Sequence, residues 1–348
     1  MNKSNSDDTI EKFISDVKYQ QYDLTKLTDK KNNILLVTHD DMDGAGCEMI
    51  VKKFCPNTFV INMKPSEVDK VFGTLDTSLF DCIIISDLCC TLDFVLNDPR
   101  VIVIDHHSSS KKFNNPVMNV FINEAVSATK LVYLFFRVLV DEDISYMGEF
   151  ADVVDDYDTW KQKDSRSKIL NFMFNMYGYK KFVKRFSKDF NPEVTDSELN
   201  KWYKEQERIE KTVENMPVFV RDYGYCRVGV IVKDEYLNEY CEGVLNDKDL
   251  NLDMVIYVWY PYGGSVRLNK RVNGINLGEI LSDKLNIGGG HAHAGGYGAP
   301  DKTVAGNLEA IRSIIDEFKN QCMESNIEDI NKVNVYEGSI IGTDDLPF

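Results

Sequence analysis

No apolar stretch of the sequence approaches the length of a membrane span, its eight cysteines include no C-x-x-C pair, and it has only five histidines. The first absence excludes an ordinary transmembrane helix. The second argues against a structural zinc site, and Cys47, Cys82 and Cys241 fall in apolar or helical patterns that suit reduced core thiols. Positive charge is also scarce. With 40 Lys and Arg against 56 Asp and Glu, the net charge of −16 opposes non-specific adhesion to long nucleic acid and gives no reason to expect a membrane partner. An anionic substrate must then be drawn by local charge, from a bound metal or a confined arginine cluster. The polar start "MNKSNSDDTIEKF" lacks the basic-then-apolar order of a signal peptide, so a cytoplasmic protein is expected. Neither solenoid-length repeats nor Gly/Ser-rich linkers are visible.

What is present is enough for two domains: 348 residues exceed one ordinary core, and 43% apolar content can fill two. Residues 1–32 read as a polar, partly helical extension. From "NILLVT" onward, short β-rich runs ("FVIN", "CIIIS", "VIVID", "VMNVFI") alternate with helical patterns, as in βαβ units of a parallel sheet. "SATKLVYLFFRVLV" is apolar almost all round and reads as a buried helix. Thr195 and Glu198 form a capping box for the charged stretch "DSELNKWYKEQERIEKTVENM", a connecting helix over 195–216. Residues 217–324 then read as a smaller α/β unit, and 325–348 as an acidic tail. The expected fold class is α/β, with a parallel-sheet N-terminal domain over 33–194 joined by that helix to the second domain.

The five histidines, His39, His106, His107, His291 and His293, fall in three short motifs rather than being scattered. In "LLVTHDDMDGAG", His39, Asp41 and Asp43 follow a strand at alternate positions; in an extended segment these point the same way, with Asp40 pointing the other. "CIIISDLCC" delivers Asp87 at the end of a buried strand. "VIVIDHHSSS" does the same for Asp105, His106 and His107, at the strand ends where open α/β sheets bind ligands. An acid near "VVDDYDTW" supplies a fourth motif, with Asp152, Asp155, Asp156 and Asp158 all available. This mixture of nitrogen and oxygen ligands suits Mn²⁺ better than a thiolate-loving metal and suffices for two ions. Paired metals are a recurring solution for hydrolysing phosphate esters, because they activate water and neutralise the oxygens of the transition state.

Together these motifs resemble those of the DHH phosphoesterase superfamily, with "THDDMDG" like its first motif, Asp87 its second, "DHH" at 105–107 its signature and "YDTW" its fourth. The resemblance implies that His39 and Asp41 hold one ion, Asp43, His106 and Asp158 the other, and that Asp87 bridges them. Asp158 is preferred because a Thr follows it. Asp105 and His107 take catalytic roles by the same likeness, Asp105 orienting a histidine and His107 facing the substrate phosphate. "NIGGGHAHAGGYG" resembles the glycine-rich motif of the DHH-associated C-terminal domain, with Ala294, Gly295 and Gly296 where the usual motif has "AAG". "GGSVRLNK" resembles the strand carrying its substrate-binding arginine. Gly288, Gly289, Gly290, His291, His293 and Arg267 are thereby implied in substrate binding, the glycines by close backbone approach and Arg267 by its planar fork.

The likeness extends over roughly 33–318 and lies nearest the oligoribonuclease, or nanoRNase, branch. It implies an exonuclease-like phosphodiesterase acting on short RNA or DNA oligonucleotides or dinucleotides, and is compatible with a homodimer. A RecJ-like single-stranded DNA exonuclease and an adenosine bisphosphate phosphatase are the alternatives; a family II pyrophosphatase ranks low because its partner domain lacks the "GGGH" feature. A non-enzymatic role is suggested by the last residues. "DDLPF" resembles the tip of bacterial single-stranded-DNA-binding proteins, which makes Asp344, Asp345, Pro347 and Phe348 candidates for contact with a replication or repair protein.

Overall fold

The computed structural model describes residues 5–19, 27–213, 217–232, 237–259 and 261–327, so the candidate tip at Asp344, Asp345, Pro347 and Phe348 lies outside the described residues. The chain divides into two compact units, Met1–Glu205 and Gln206–Phe348. No helix among the described residues is long and apolar enough to cross a membrane.

The first unit runs α1 (Asn5–Tyr19), β1 (Ile34–His39), α2 (Met42–Phe54), β2 (Thr58–Met63), α3 (Val68–Phe72), β3 (Cys82–Ser86), α4 (Asp93–Leu96), β4 (Val101–Asp105), β5 (Val120–Ile122), α5 (Ala128–Leu139), α6 (Gly148–Asp158), α7 (Ser165–Tyr177), α8 (Tyr179–Phe186) and α9 (Asp196–Val213), the last extending past the unit boundary. Its five strands form a parallel sheet in the order β2-β1-β3-β4-β5. Both faces are covered, which is why β3 and β4 are buried at every position. Alternation sorts the side chains. Ile34, Leu36, Ile84, Ile102 and Ile104 pack with α2, α5, α6 and α8, whereas Leu35, Val37, Ile83, Ile85 and Val103 pack with α3 and α4. The chain steps from β1 to β2 on one side and returns to β3 on the other, so the carboxyl ends of β1 and β3 flank the point where strand order reverses. Ligands bind at such points in open α/β sheets.

Local signals account for the helix starts. Ser127 accepts from the Lys130 amide at the head of α5, and Asp164 from the Arg166 amide at the head of α7. At α9, Thr195 and Glu198 exchange bonds as a capping box, with Thr195 N to Glu198 Oε2 at 2.6 Å and Glu198 N to Thr195 Oγ1 at 3.3 Å. The first residues depart from the expected polar extension: α1 buries Phe13 and Val17 in the main core, and Asn123 Nδ2 bonds the Thr9 carbonyl at 2.9 Å.

In the second unit, β6 (Phe219–Asp222), β7 (Arg227–Val232), α10 (Leu237–Asn246), β8 (Met254–Trp259), β9 (Gly263–Leu268), α11 (Leu277–Glu279) with a following π-helical turn (Ile280–Lys284), β10 (Gly288–Gly290), β11 (Ala294–Gly298) and α12 (Val304–Ile327) build a mixed sheet ordered β10-β11-β9-β8-β7-β6. Only the β7–β8 pair is parallel. α10 packs on one face through Tyr240 and Cys241, and α12 on the other through Ile311, Ile314 and Phe318. The glycine run Gly288–Gly290 is a strand. A Cβ on Gly288 would stand 2.0 Å from the Gly296 carbonyl oxygen, so this tight antiparallel crossing needs glycine.

Candidate metal centre

Where β1 ends, His39 turns its Nδ1 to Asp41 Oδ2 at 2.7 Å. The backbone stays extended at Asp41 but not, as alternate spacing had implied, as far as Asp43. Asp41 is the N-cap of α2, accepting the Gly44 amide at 3.0 Å, and Met42 already begins the helix. The three motif residues therefore converge through a strand-to-helix turn, with Asp43 buried in the first turn of α2. Asp40, expected to face away, has its Oδ1 3.5 Å from His39 Nε2.

Asp43 meets the head of α5. Its Oδ2 accepts the Ala128 amide and its Oδ1 the Thr129 amide, both at 2.8 Å, while Oδ2 lies 3.5 Å from His106 Nε2. Asp87, just past β3, has φ of +57°, a left-handed conformation that acidic and amide residues tolerate better than most. It stands between the two histidines: Oδ1 is 3.2 Å from His106 Nε2 and Oδ2 is 3.7 Å from His39 Nδ1. Asp105, buried at the end of β4, accepts from the His106 amide at 2.8 Å and is bonded to His107 Nδ1 at 2.7 Å.

Of the four acids in the last motif, Asp158 reaches the group, its Oδ2 lying 3.4 Å from His106 Nε2. The others are engaged elsewhere. Asp152 pairs with Lys130, Asp155 accepts from Lys161 and the Ser127 amide, and Asp156 caps the Lys163 and Asp164 amides.

The groups whose ligand-type atoms lie within 4.8 Å of one another include His39/Asp41/Asp87, Asp43/His106/Asp158 and Asp87/Asp105/His106/His107. Burial disfavours charge on His39, but the carboxylates of Asp41 and Asp87 beside its ring carry it up to about 11. Burial, followed by the neighbouring carboxylates, pushes Asp87 and Asp158 well above the usual carboxylate range. Asp105 is held well below that range: burial opposes its charge, but the His107 imidazole outweighs it. Converging carboxylates of this kind repel unless a cation lies among them. Asp87 Oδ2 and Asp158 Oδ2 are moreover buried with no hydrogen-bond donor among the described residues. The residues fit a pair of divalent cations held by nitrogen and oxygen.

In the second unit, Arg267 lies on β9 opposite Ala294 of β11. Its guanidinium bonds Ser265 Oγ, the Val266 carbonyl at 3.0 Å and Asn238 Oδ1 at 3.1 Å. His293 is tied to the same strand, its carbonyl accepting the Leu268 amide at 2.9 Å, and its Nδ1 is buried without a hydrogen-bond partner among the described residues. His291 lies in the turn between β10 and β11, its amide bonded to the Ala294 carbonyl at 2.7 Å. Sequence reasoning passed over Thr129, Ser127 and Asn238. Only Ser127, a capping residue before an apolar run, left a signal.

No family model and no curated protein matches the sequence. Similar solved structures include the pGpG-specific phosphodiesterase PggH from Vibrio cholerae, at 15% identity and a TM-score of 0.47 over 83% of this chain and 99% of that one. Exonuclease RecJ bound to manganese is similar at 12% identity and a TM-score of 0.46, over 90% of this chain and 94% of that one. A third is the DHH domain of a member of the s1p family of ribosomal proteins, at 14% identity and a TM-score of 0.43 over 91% and 92% of the two chains.

Proposed function

We propose that the chain is a DHH-type, metal-dependent phosphodiesterase that hydrolyses short oligonucleotides or dinucleotides to mononucleotides. The observation that carries this reading is the pair of nitrogen-and-oxygen clusters with Asp87 between them. In it, His39 and Asp41 would hold one divalent ion and Asp43, His106 and Asp158 the other, with Asp87 available to either; Mn²⁺ would suit the donors. When bound, the metal pair supplies positive charge at the phosphate and lowers the pKa of water.

The chain's own groups do the rest. Asp105 fixes the orientation of the His107 ring through Nδ1, and His107 would face the substrate phosphate. Amides of α5 keep the Asp43 carboxylate from rotating away. Arg267, on a rigid central strand, offers a planar fork to a phosphate, with Asn238 and Ser265 setting its orientation. In the same reading, 33–194 form the catalytic domain, 195–216 the connecting helix and 217–324 the substrate-binding domain, in a cytoplasmic protein. The RecJ-like exonuclease, the bisphosphate phosphatase and a partner-binding role for the tip are kept as alternatives.

One experiment separates these readings. Protein loaded with Mn²⁺ is incubated with two- to five-nucleotide RNA and DNA, cyclic and linear dinucleotides, adenosine bisphosphate and pyrophosphate. Release of mononucleotides from the short strands supports the proposal, and exclusive cleavage of pyrophosphate overturns it.

A further inference from the structure

The acidity of the chain is not uniform. Residues 161–188, which contain α7 and α8, carry nine Lys and Arg against a single acid, Asp164, within a sequence whose net charge is −16. The arginines here are structural. Arg166 binds Glu149, Asp164 and Glu193, and Arg185 lies 3.8 Å from Glu198. The lysines divide differently. Lys161 pairs with Asp155 and Lys168 lies over the Trp160 ring, but Lys163, Lys180, Lys181, Lys184 and Lys188 are exposed and have no carboxylate partner among the described residues.

The fold does not need these five charges. α8 is anchored by Phe182 and Phe186, both fully buried one turn apart, and Lys180, Lys181 and Lys184 occupy its outward side. Lys180 and Lys184 are like charges at i and i+4, an arrangement that disfavours a helix. Lys180 and Lys181 also sit in its first turn, where the helix dipole disfavours cations. In a chain rich in Asp and Glu, leaving the group unneutralised creates a local positive field that the net charge conceals.

That field adjoins the candidate metal centre within the same unit. Tyr179, the residue before Lys180, donates its hydroxyl to the Gly44 carbonyl at 3.2 Å, and Gly44 directly follows Asp43. Lys163 lies five residues past Asp158, its amide bonded to Asp156 at 2.8 Å. We infer that the exposed lysines of 163–188 form a binding surface for the phosphate backbone of a single-stranded nucleic acid, engaging the part of the strand beyond the nucleotides at the reacting centre. This rests on the phosphodiesterase reading and deepens it: the protein would accept strands longer than a few nucleotides despite its net charge. The lysines are point charges without aromatic partners, so the recognition is of backbone charge rather than of base sequence.

The test compares wild type with the K180Q/K181Q/K184Q/K188Q variant, after thermal melts establish that both are folded. Binding of a labelled single strand of about 12 nucleotides, within the range such surfaces span, is followed by fluorescence anisotropy with a chelator present, and hydrolysis of a dinucleotide is measured separately with Mn²⁺. The wild type should bind with an affinity that falls steeply with salt. The variant should bind about tenfold more weakly at low salt, with the log–log salt slope reduced by about 3, since each single-strand phosphate contact contributes roughly 0.7. Dinucleotide kcat/KM should stay within about twofold, because the substrate has no strand to reach the lysines. Equal strand binding by both proteins, or capture of anionic lipid vesicles in place of the strand, overturns the inference. Lysine-dependent strand binding without hydrolysis of any substrate would leave this surface standing and sink the enzymatic reading; dinucleotide cleavage with lysine-independent strand binding would do the reverse.

Discussion

Thr129 is bonded twice to Asp43: its amide donates to Asp43 Oδ1 at 2.8 Å and its hydroxyl to the Asp43 carbonyl at 2.7 Å. The head of α5 thereby grips both the backbone and the carboxylate of a residue that faces His106. A buried carboxylate fixed by amides loses less freedom when it takes a cation, as supporting bonds do for metal ligands generally. Thr129→Val, which keeps the shape and removes the hydroxyl, should cost about 1–2 kcal/mol of stability and weaken metal binding about tenfold. Calorimetric titration with Mn²⁺ checks this, and Thr129→Ser, which restores the hydroxyl, should recover most of the affinity.

The same contact makes Gly46 sensitive. A Cβ built there would lie 2.2 Å from Thr129 Oγ1 and 2.8 Å from Thr129 Cγ2, so α2 and α5 approach too closely for any side chain. Gly46→Ala should displace Thr129, costing about 1–3 kcal/mol through overpacking despite alanine's better helix propensity. A denaturation midpoint equal to that of wild type would contradict the close approach.

Asp87 is the test of paired occupancy. It lies between His39 and His106, so Asp87→Ala should lower metal content below two ions per chain and abolish hydrolysis, whereas loss of a ligand to one ion need not. Elemental analysis of the purified variant decides the point. Normal metal content with normal turnover would refute the shared role.

Asp158 and Asp152 lie on the same helix, α6, and differ in what they contact. Asp158→Asn should reduce metal affinity, while Asp152→Asn, which removes an exposed pair with Lys130, should leave metal binding unchanged and shift stability by less than about 1 kcal/mol. Similar metal loss in both variants would argue against the division of the four acids.

How far these residues could be read beforehand depended on what kind of pattern carried them. His39, Asp87 and His106 were legible because each follows a run of Ile, Val or Leu, and a buried parallel strand places whatever comes next at its carboxyl end. Asp158 was chosen by likeness alone; the physical reason lies in the partners that occupy Asp152, Asp155 and Asp156, two of them side chains, Lys130 and Lys161, that adjacency does not disclose. That Gly288–Gly290 form a strand was not legible, because glycine carries no side chain to display the two-residue period of a strand. The grip of Thr129 on Asp43 joins residues 86 apart and leaves no local trace. Charge was misleading in another way, since a total of −16 averages over a segment of opposite sign.

Acid should loosen the junction around α9. Glu198 is buried there. Burial alone would raise its carboxyl, but the Tyr177 hydroxyl and the Thr195 amide and hydroxyl hold it below the usual carboxylate range. A depressed folded pKa adds stability that is complete above the unfolded value and disappears as pH falls through the folded one. Glu198→Gln should therefore lower Tm at pH 7, and the gap from wild type should close as pH is reduced from about 6 towards 3. A gap independent of pH would assign the effect to packing.

Arg267 should separate binding from chemistry. It lies on a central strand of the second unit, while the six proposed ligands His39, Asp41, Asp43, Asp87, His106 and Asp158 belong to the first, so its loss leaves those donors intact. A guanidinium that bonds Asn238 and Ser265 is oriented before substrate arrives, and its planar fork can meet two phosphate oxygens at once. Arg267→Ala should raise KM for a short oligonucleotide about tenfold or more with little change in metal content. Arg267→Lys keeps the charge but not the fork, so it should recover only part of the loss. Asn238→Ala, which frees one edge of the guanidinium, should have a smaller effect in the same direction. If Arg267→Ala instead lowered kcat with KM unchanged, the arginine would be acting on the transition state rather than gripping the substrate, and its place in substrate binding would have to be abandoned.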